Sequence, residues 1–261
     1  MGLAFQDQWM IAAVAGLVGL ILGSFLNVCT LRWPQDESVV RPPSHCPGCG
    51  SQIKWYDNIP VLSYLILRAR CRGCGTFISP QYPAVELATG LIWAGTFMQS
   101  GLSVEGLRGA VFLTILLGIA ITDARFYIIP DQFSLGGWVL GLAMAPFPGG
   151  LTLIQSISGA VVGFGLLLIV AKAGTWLFKK EAMGGGDLKM MGMVGAFLGI
   201  PGVFLTVFLG SLLGSVVFGP IAWKTGKLVP FGIFLAVGAS VTYGWGERLI
   251  AWYSSTFLGI Y

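Results

Sequence analysis

The sequence predicts an all-α polytopic membrane protein of about eight transmembrane helices, with a small cytoplasmic domain inserted between the first and the second. Three observations carry this expectation. The 261 residues are 55% hydrophobic and only 10% charged, with a mean hydropathy of +0.81, whereas an ordinary soluble domain has about a quarter of its residues charged. Stretches at 9–28, 150–170 and 203–223 run with almost no charge, and about 20 apolar residues are what one bilayer crossing needs. The basic residues, finally, are distributed very unevenly among the connections.

Breaks at charges, Pro and Gly place the spans near 9–29, 84–99, 107–122, 133–146, 152–171, 188–200, 203–223 and 230–246. The first is not a cleavable signal: it lacks a basic n-region and ends in Gly23-Ser24-Phe25-Leu26-Asn27 rather than in a cleavage box. Residues 247–261 alternate aromatic and polar, which suits an interface. Arg32, Arg41, Lys54, Arg68, Arg70 and Arg72 lie between the first two spans, Arg125 follows the third, Lys172, Lys179, Lys180 and Lys189 surround the fifth-to-sixth connection, and Lys224 and Lys227 follow the seventh. Only Arg108 and Arg248 fall on the opposite side, so thirteen of fifteen basic residues share one face, which the positive-inside rule makes cytoplasmic. Both termini are then outside. The net charge of +4 follows from this topology and does not point to nucleic acid. The expected organisation is a first helix (1–29), a cytoplasmic segment (30–83) and a membrane domain (84–261), with no internal repeat.

Four of the five cysteines lie in the cytoplasmic segment, as Cys46-Pro47-Gly48-Cys49 and Cys71-Arg72-Gly73-Cys74, a C-x2-C-x21-C-x2-C spacing. Gly50 and Gly75 follow the pairs and let the chain turn tightly. A reducing compartment disfavours disulfides, and two-residue spacers suit metal knuckles, so the expectation is a tetrahedral zinc site with four thiolate ligands. Such a site has no open position and is structural. Cys29 and His45 stand outside this ligand set, the first as a packing residue and the second as a surface residue.

Acidic residues in or beside spans are costly and therefore candidates for function. Glu86, Asp123, Asp131 and Asp187 qualify. Asp123 closes the third span, and Asp187 opens the sixth after Gly184-Gly185-Gly186. An even number of spans separates them, so both face the cytoplasmic side. The two spans are read as short, about 16 and about 13 residues, which at 1.5 Å per residue reach roughly 24 Å and 20 Å against a core of about 30 Å. Glycine backbone at that depth is tolerated in a buried or wet site, so the two carboxylates are expected in one polar pocket. Asp187 alone also reads as a helix cap, whereas Asp123 sits at the disfavoured end of a helix dipole. Asp131, after Pro130, reads as a cap of the fourth helix, and Glu86 as structural at the start of the second. Arg125 and Lys189, two residues from the candidate aspartates, either tune them or anchor the chain at headgroups. Two neighbouring carboxylates share a proton, one activating water and the other polarising a peptide carbonyl. A Ser-His scheme has only His45 to draw on, and no HExxH sequence is present.

These residues stand in a familiar order: Gly23-Ser24-Phe25-Leu26-Asn27-Val28 with Arg32 and Pro34, the cysteine pairs, Asn58-Ile59-Pro60, Leu67-Arg68, Ile78-Ser79-Pro80-Gln81-Tyr82-Pro83 with Val85-Glu86, Asp123 with Ile129-Pro130-Asp131, the Gly184-Gly185-Gly186-Asp187-Leu188-Lys189 box, and Val229-Pro230-Phe231-Gly232. Over nearly its whole length the chain resembles the bacterial type IV prepilin peptidases, which are both leader peptidases and N-methyltransferases. The Gly-x-Gly-Asp box alone is shared with presenilin-like proteases; with the cysteine loop it is far more specific. The resemblance implies that Asp123 and Asp187 are the catalytic pair. It implies prepilin or pseudopilin substrates, cleavage after a glycine, and methylation of the new N-terminal amine by S-adenosylmethionine in the bacterial inner membrane. No residues for that methyl donor are assigned, because no Gly-rich strand-to-helix turn is present. Cys29-Thr30-Leu31 and Trp33 depart from the family pattern, as does Ile233 where a second proline is frequent; the first departure can bear on methyl transfer, and neither is expected to touch the aspartate pair. The rival readings are a protease of the same box acting on other membrane proteins without methylation, and a transporter with a zinc-stapled loop, for which inverted repeats would be the sign.

Overall fold

The computed structural model describes residues 2–180, 183–225 and 230–259, and their side chains except those of 2–6, 178, 218–225 and 258. Lys227 and Val229 therefore lie outside the described residues, as does the side chain of Lys224. Among the described residues the regular structure is helical, with two isolated bridges in the loop segment. Its helices are α1 (Gly2–Arg32), the short α2 (Leu62–Ile66), α3 (Gln81–Ser100), α4 (Val104–Phe126), α5 (Asp131–Met144), α6 (Leu153–Phe178), α7 (Gly185–Thr225) and α8 (Phe231–Tyr253). Of two 3-10 turns, Trp33–Gln35 precedes the cysteine pairs and Trp55–Asn58 lies between them.

The eight expected spans correspond to eight helical pieces, because α7 is broken at Gly199 (φ 68°, ψ −175°). That backbone region is open almost only to glycine, and Pro201 follows, so the break falls at the end of the sixth expected span, two residues before the boundary the sequence suggested. Several helix ends lie beyond the expected spans: α1 extends past both ends of 9–29 and α6 continues to Phe178. The third span is not short: α4 has 23 residues and runs one turn past Asp123. The tail read as beginning at residue 247 is still helical to Tyr253. Among the described residues, four stretches are long and apolar enough to cross a membrane: Asp7–Gln35, Val104–Phe126, Leu153–Leu177 and Gly185–Val217.

The chain packs as two units, Met1–Thr114 and Ile115–Tyr261, dividing within α4. In the first unit, α1 and α3 approach at glycines. A Cβ on Gly19 would stand 2.7 Å from the Thr89 carbonyl, and one on Gly23 would stand 2.7 Å from the Glu86 Cα. Small residues on one helix face permit such backbone contact. Ala15, Trp93, Phe97 and Ala110 form the apolar centre beside it, and the Trp93 indole N–H donates to Thr114 Oγ1 at 3.1 Å.

The second unit is built around α7. Gly159 of α6 meets the backbone of Gly195, and Gly163 that of Met191. Ser156 Oγ donates to the Ala196 carbonyl at 2.6 Å, and Thr206 and Thr242 pair at 3.2 Å between α7 and α8. Met190, Met191 and Met193 are fully buried in this core; flexible thioethers fill the irregular gaps that close glycine contacts leave.

Candidate active site

Asp123 lies in the last turn of α4 and is 5% exposed. A carboxylate there faces the negative end of its own helix dipole. The fold offsets this from another helix: the Ile233 amide, in the first turn of α8, donates to Asp123 Oδ2 at 3.0 Å. The first amides of a helix have no intrahelical acceptor and suit an anion. Gly232 makes the approach possible, since a Cβ on it would fall 2.9 Å from Asp123 Oδ2 and 2.9 Å from Ile129 Cδ1. The expectation that Ile233 stands clear of the aspartate pair is therefore corrected: its backbone N–H holds one member.

Asp187 sits at the third position of α7, half-buried, and accepts from the Gly184 amide just before the helix. It thus closes the helix start from inside, as the return half of a capping box does, rather than standing at the cap position itself. Its charge and that of Asp123 lie within Coulombic reach of one another. Ile129 is the shared neighbour of the two glycine turns, because a Cβ on Gly186 would also stand 3.0 Å from Ile129 Cβ. The third and sixth expected spans are in this way brought together at their aspartates.

The remaining acids have other partners. Asp131 opens α5 without a side-chain capping bond, and Lys189 Nζ grips it at 2.6 and 2.9 Å. Lys189 therefore serves Asp131 rather than the aspartate two residues before it. Arg125 lies over the Phe126 ring. In the first unit, Glu86 is buried at 8% exposure and accepts from the Val61 amide at 2.7 Å and from the Ser24 hydroxyl.

The four cysteines of the spacing argument converge. Cys46, Cys49, Cys71 and Cys74 place all four sulfurs within 4.8 Å of one another, with Cys46 and Cys74 3.7 Å apart. Sulfurs held tetrahedrally around a zinc at about 2.3 Å stand roughly 3.8 Å apart, so this cluster can hold a metal ion. The segment also contains a repeat that the sequence reading missed. Cys46 N donates to Ser51 O and Gly50 N to Cys46 O; 25 residues on, Cys71 N donates to Thr76 O and Gly75 N to Cys71 O. Gly50 and Gly75 take φ of 71° and 73°. The bridges His45–Gln52 and Arg70–Phe77 close the two knuckles alike. The signal was present as Cys46-Pro47-Gly48-Cys49-Gly50-Ser51-Gln52-Ile53 against Cys71-Arg72-Gly73-Cys74-Gly75-Thr76-Phe77-Ile78. Arg70 occupies the place of His45 in the second knuckle, and His45 is not among the clustered ligands. The Thr76 hydroxyl and amide hold the Cys74 thiol down to about 6. Arg72 binds Asp57 through its Nε and Nη2 and keeps that carboxyl below the usual range, tying the second knuckle to the 3-10 turn at 55–58. Cys29 is buried in α1, apart from the cluster.

Residues 17–100 match the model of the bacterial peptidase A24 N-terminal domain, and residues 110–219 match that of the type IV leader peptidase family. A prepilin leader peptidase/N-methyltransferase of Xanthomonas campestris is 33% identical over 96% of this chain and 98% of its own. The chain belongs to the prepilin leader peptidase/N-methyltransferase family. The Bacillus subtilis member is 31% identical, covering 93% of this chain and 98% of its own, and the Myxococcus xanthus member 40% identical, covering 82% and 64%. No solved structure matches the chain. With four membrane-length apolar helices among its described residues, this member of the prepilin leader peptidase family is a multi-pass membrane protein. Its cysteine knuckles fall within the first matched segment, and Asp123 and Asp187 within the second.

Proposed function

We propose that this chain removes the leader from type IV prepilins or pseudopilins and then N-methylates the newly exposed terminus with S-adenosylmethionine. The cleavage half rests on one observation above all: α4 and α7, distant in sequence, carry Asp123 and Asp187 within Coulombic reach of each other, and the Ile233 amide in the first turn of α8 donates to Asp123. One aspartate of the pair, ionised, takes a proton from a water as its oxygen attacks the scissile carbonyl carbon. The other, protonated, gives its proton to the carbonyl oxygen. When the resulting diol collapses, the carbon–nitrogen bond breaks, the amine leaves with the first proton, and the second returns to its aspartate.

The four cysteines would hold zinc as a structural ion, since four thiolates leave no open coordination position. S-adenosylmethionine supplies an electrophilic methyl group on a sulfonium. The chain's share of that step is to seat the donor and take the amine proton. The inner membrane is the proposed location, with the knuckles and the aspartates on the cytoplasmic side, where the basic residues concentrate.

Purified protein incubated with a prepilin and S-adenosylmethionine should yield a product that lacks its leader and carries one added methyl, read by mass spectrometry. Asp123→Asn and Asp187→Asn should each lower cleavage by at least about a thousandfold, as loss of a proton-transfer group does at the upper end, while the melting temperature stays close to wild type. Substantial cleavage by either variant would sink the pairing.

A further inference from the structure

We propose that residues 59–70 of the first unit anchor it to the leaflet at the C-terminal end of α1. In this anchor α2 is immersed among lipid acyl chains, and Arg68 and Arg70 lie at the phosphates of anionic phospholipids. Position in the chain alone would leave this stretch in water with the rest of the cysteine segment. Its burial pattern is the reverse of what water requires. Leu62, Leu65 and Ile66 stand at i, i+3 and i+4 of α2 and so share one face, and they are 51%, 65% and 65% exposed. Ser63 is the buried residue of the helix, and its hydroxyl donates to the Ile59 carbonyl at 2.6 Å. A helix that turns its serine in and its aliphatic side chains out is built for apolar surroundings.

The depth of α2 agrees with its exposed face. Ser24 of α1 lies four residues before the end of the apolar stretch 9–28, about 6 Å to the membrane side of that end. Glu86, in the second turn of α3, accepts from Ser24 and from the Val61 amide at 2.7 Å, which holds the entry to α2 at that level. Interfacial helices are sunk about 5–10 Å into the boundary between headgroups and acyl chains. Ile59 also shares a groove with Ile21 and Phe25 of α1, both exposed, so apolar surface runs from the spanning helix onto this stretch. Irregular backbone survives at such depth only when its polar groups are satisfied within the protein. Pro60 has no amide to satisfy, and Val61 is held by Glu86. The Ser63, Leu65 and Leu67 amides reach the Ile59, Val61 and Ser63 carbonyls. Arg68 and Ala69 then take φ of 49° and 59° and end the helix, and the Ala69 carbonyl accepts from Ile78 of the second knuckle. Arg68 and Arg70 are exposed where the chain leaves α2, and guanidinium groups beside a lipid-facing surface suit anionic phosphates.

Photolabelling from the lipid tests the anchor. Full-length protein would be placed in nanodiscs of mixed phosphatidylglycerol and phosphatidylcholine, with a trace of either lipid carrying a diazirine on its acyl chain. Irradiation, proteolysis and mass spectrometry then map the adducts. In wild type they should appear within 59–66 as well as on α1. Phosphatidylglycerol should be favoured at 59–66 by about fivefold, the worth of one arginine near an anionic surface. Arg68→Gln combined with Arg70→Gln should bring the two lipids to parity. Leu65→Glu combined with Ile66→Glu should lower the 59–66 adducts by about tenfold or more, as charge is costly among acyl chains, and should leave those on α1. Wild-type adducts on α1 with none within 59–66 would overturn the anchor and show that protein covers this face. Equal labelling by the two lipids in wild type would overturn the part given to the arginines. The wild-type map decides even if the glutamate variant fails to fold.

Discussion

A carboxylate in the last turn of an α-helix is misplaced by its own dipole, and Asp123 is in addition buried. What makes the position tenable is the start of α8, whose Ile233 amide reaches Asp123 because Gly232 has no side chain. Gly232→Ala should therefore displace the carboxylate. Its Cβ would stand 2.9 Å from both Oδ2 and Ile129, and a misplacement on the order of 1 Å can cost about a hundredfold in rate. A kinetic assay of cleavage beside a thermal melt would show this as a large fall in kcat with little change in melting temperature; unchanged kcat would mean that α8 does not position the aspartate. The position of Asp123 and Asp187 in the chain was enough to nominate them, because acids are rare in spans. That Lys189 binds Asp131 rather than Asp187, and that Ile233 serves Asp123, was not legible: both pairings join residues far apart in sequence, 58 and 110 positions.

At the scale of elements, the cysteine segment shows how a short stretch without a large core keeps its shape. Each knuckle repeats the same two backbone hydrogen bonds and the same glycine turn, and the two are tied at their sulfurs. If a zinc ion joins them, it contributes directly to folding. Replacing Cys46 and Cys49 with Ser should reduce metal content from about one zinc per chain to far below it and increase proteolysis within residues 30–83. Elemental analysis of the native protein that found no zinc would remove the structural-zinc proposal. The ligand spacing was plain in the sequence, but the repeat was overlooked because its copies share only a few residues outside the cysteines and glycines. Helix ends were the weaker part of the reading. α4 begins before residue 107 and continues past Asp123, since hydropathy marks where a helix becomes apolar and not where its hydrogen bonds begin.

For the whole molecule, the two units carry different groups under the proposed function: the first the knuckles, the second the aspartates. Sidedness joins them. If the basic connections are cytoplasmic, cysteines introduced at Ser103 and Pro148 should react in intact cells with a membrane-impermeant maleimide, and one introduced at Val40 should not. Labelling at Val40 with protection at the other two would invert the topology. Four stretches satisfy length and apolarity as crossings among the described residues. α5, with 14 residues, is about 21 Å long, shorter than a hydrocarbon core of about 30 Å. Short helices beside a polar site are compatible with a membrane when neighbouring helices cover their ends.

By itself the sequence determined the class, the order of the helices and the residues nominated for the chemistry. These depend on local properties: apolar length, the cost of an acid in lipid, the fixed spacing of two cysteine pairs, and the backbone freedom of glycine. Tertiary structure alone decided the partners. It set the α8 amide against Asp123, closed Lys189 on Asp131, and bound Glu86 to Val61 and Ser24. Hydrogen bonds and ion pairs act over about 3 Å, and only packing brings such residues within that distance.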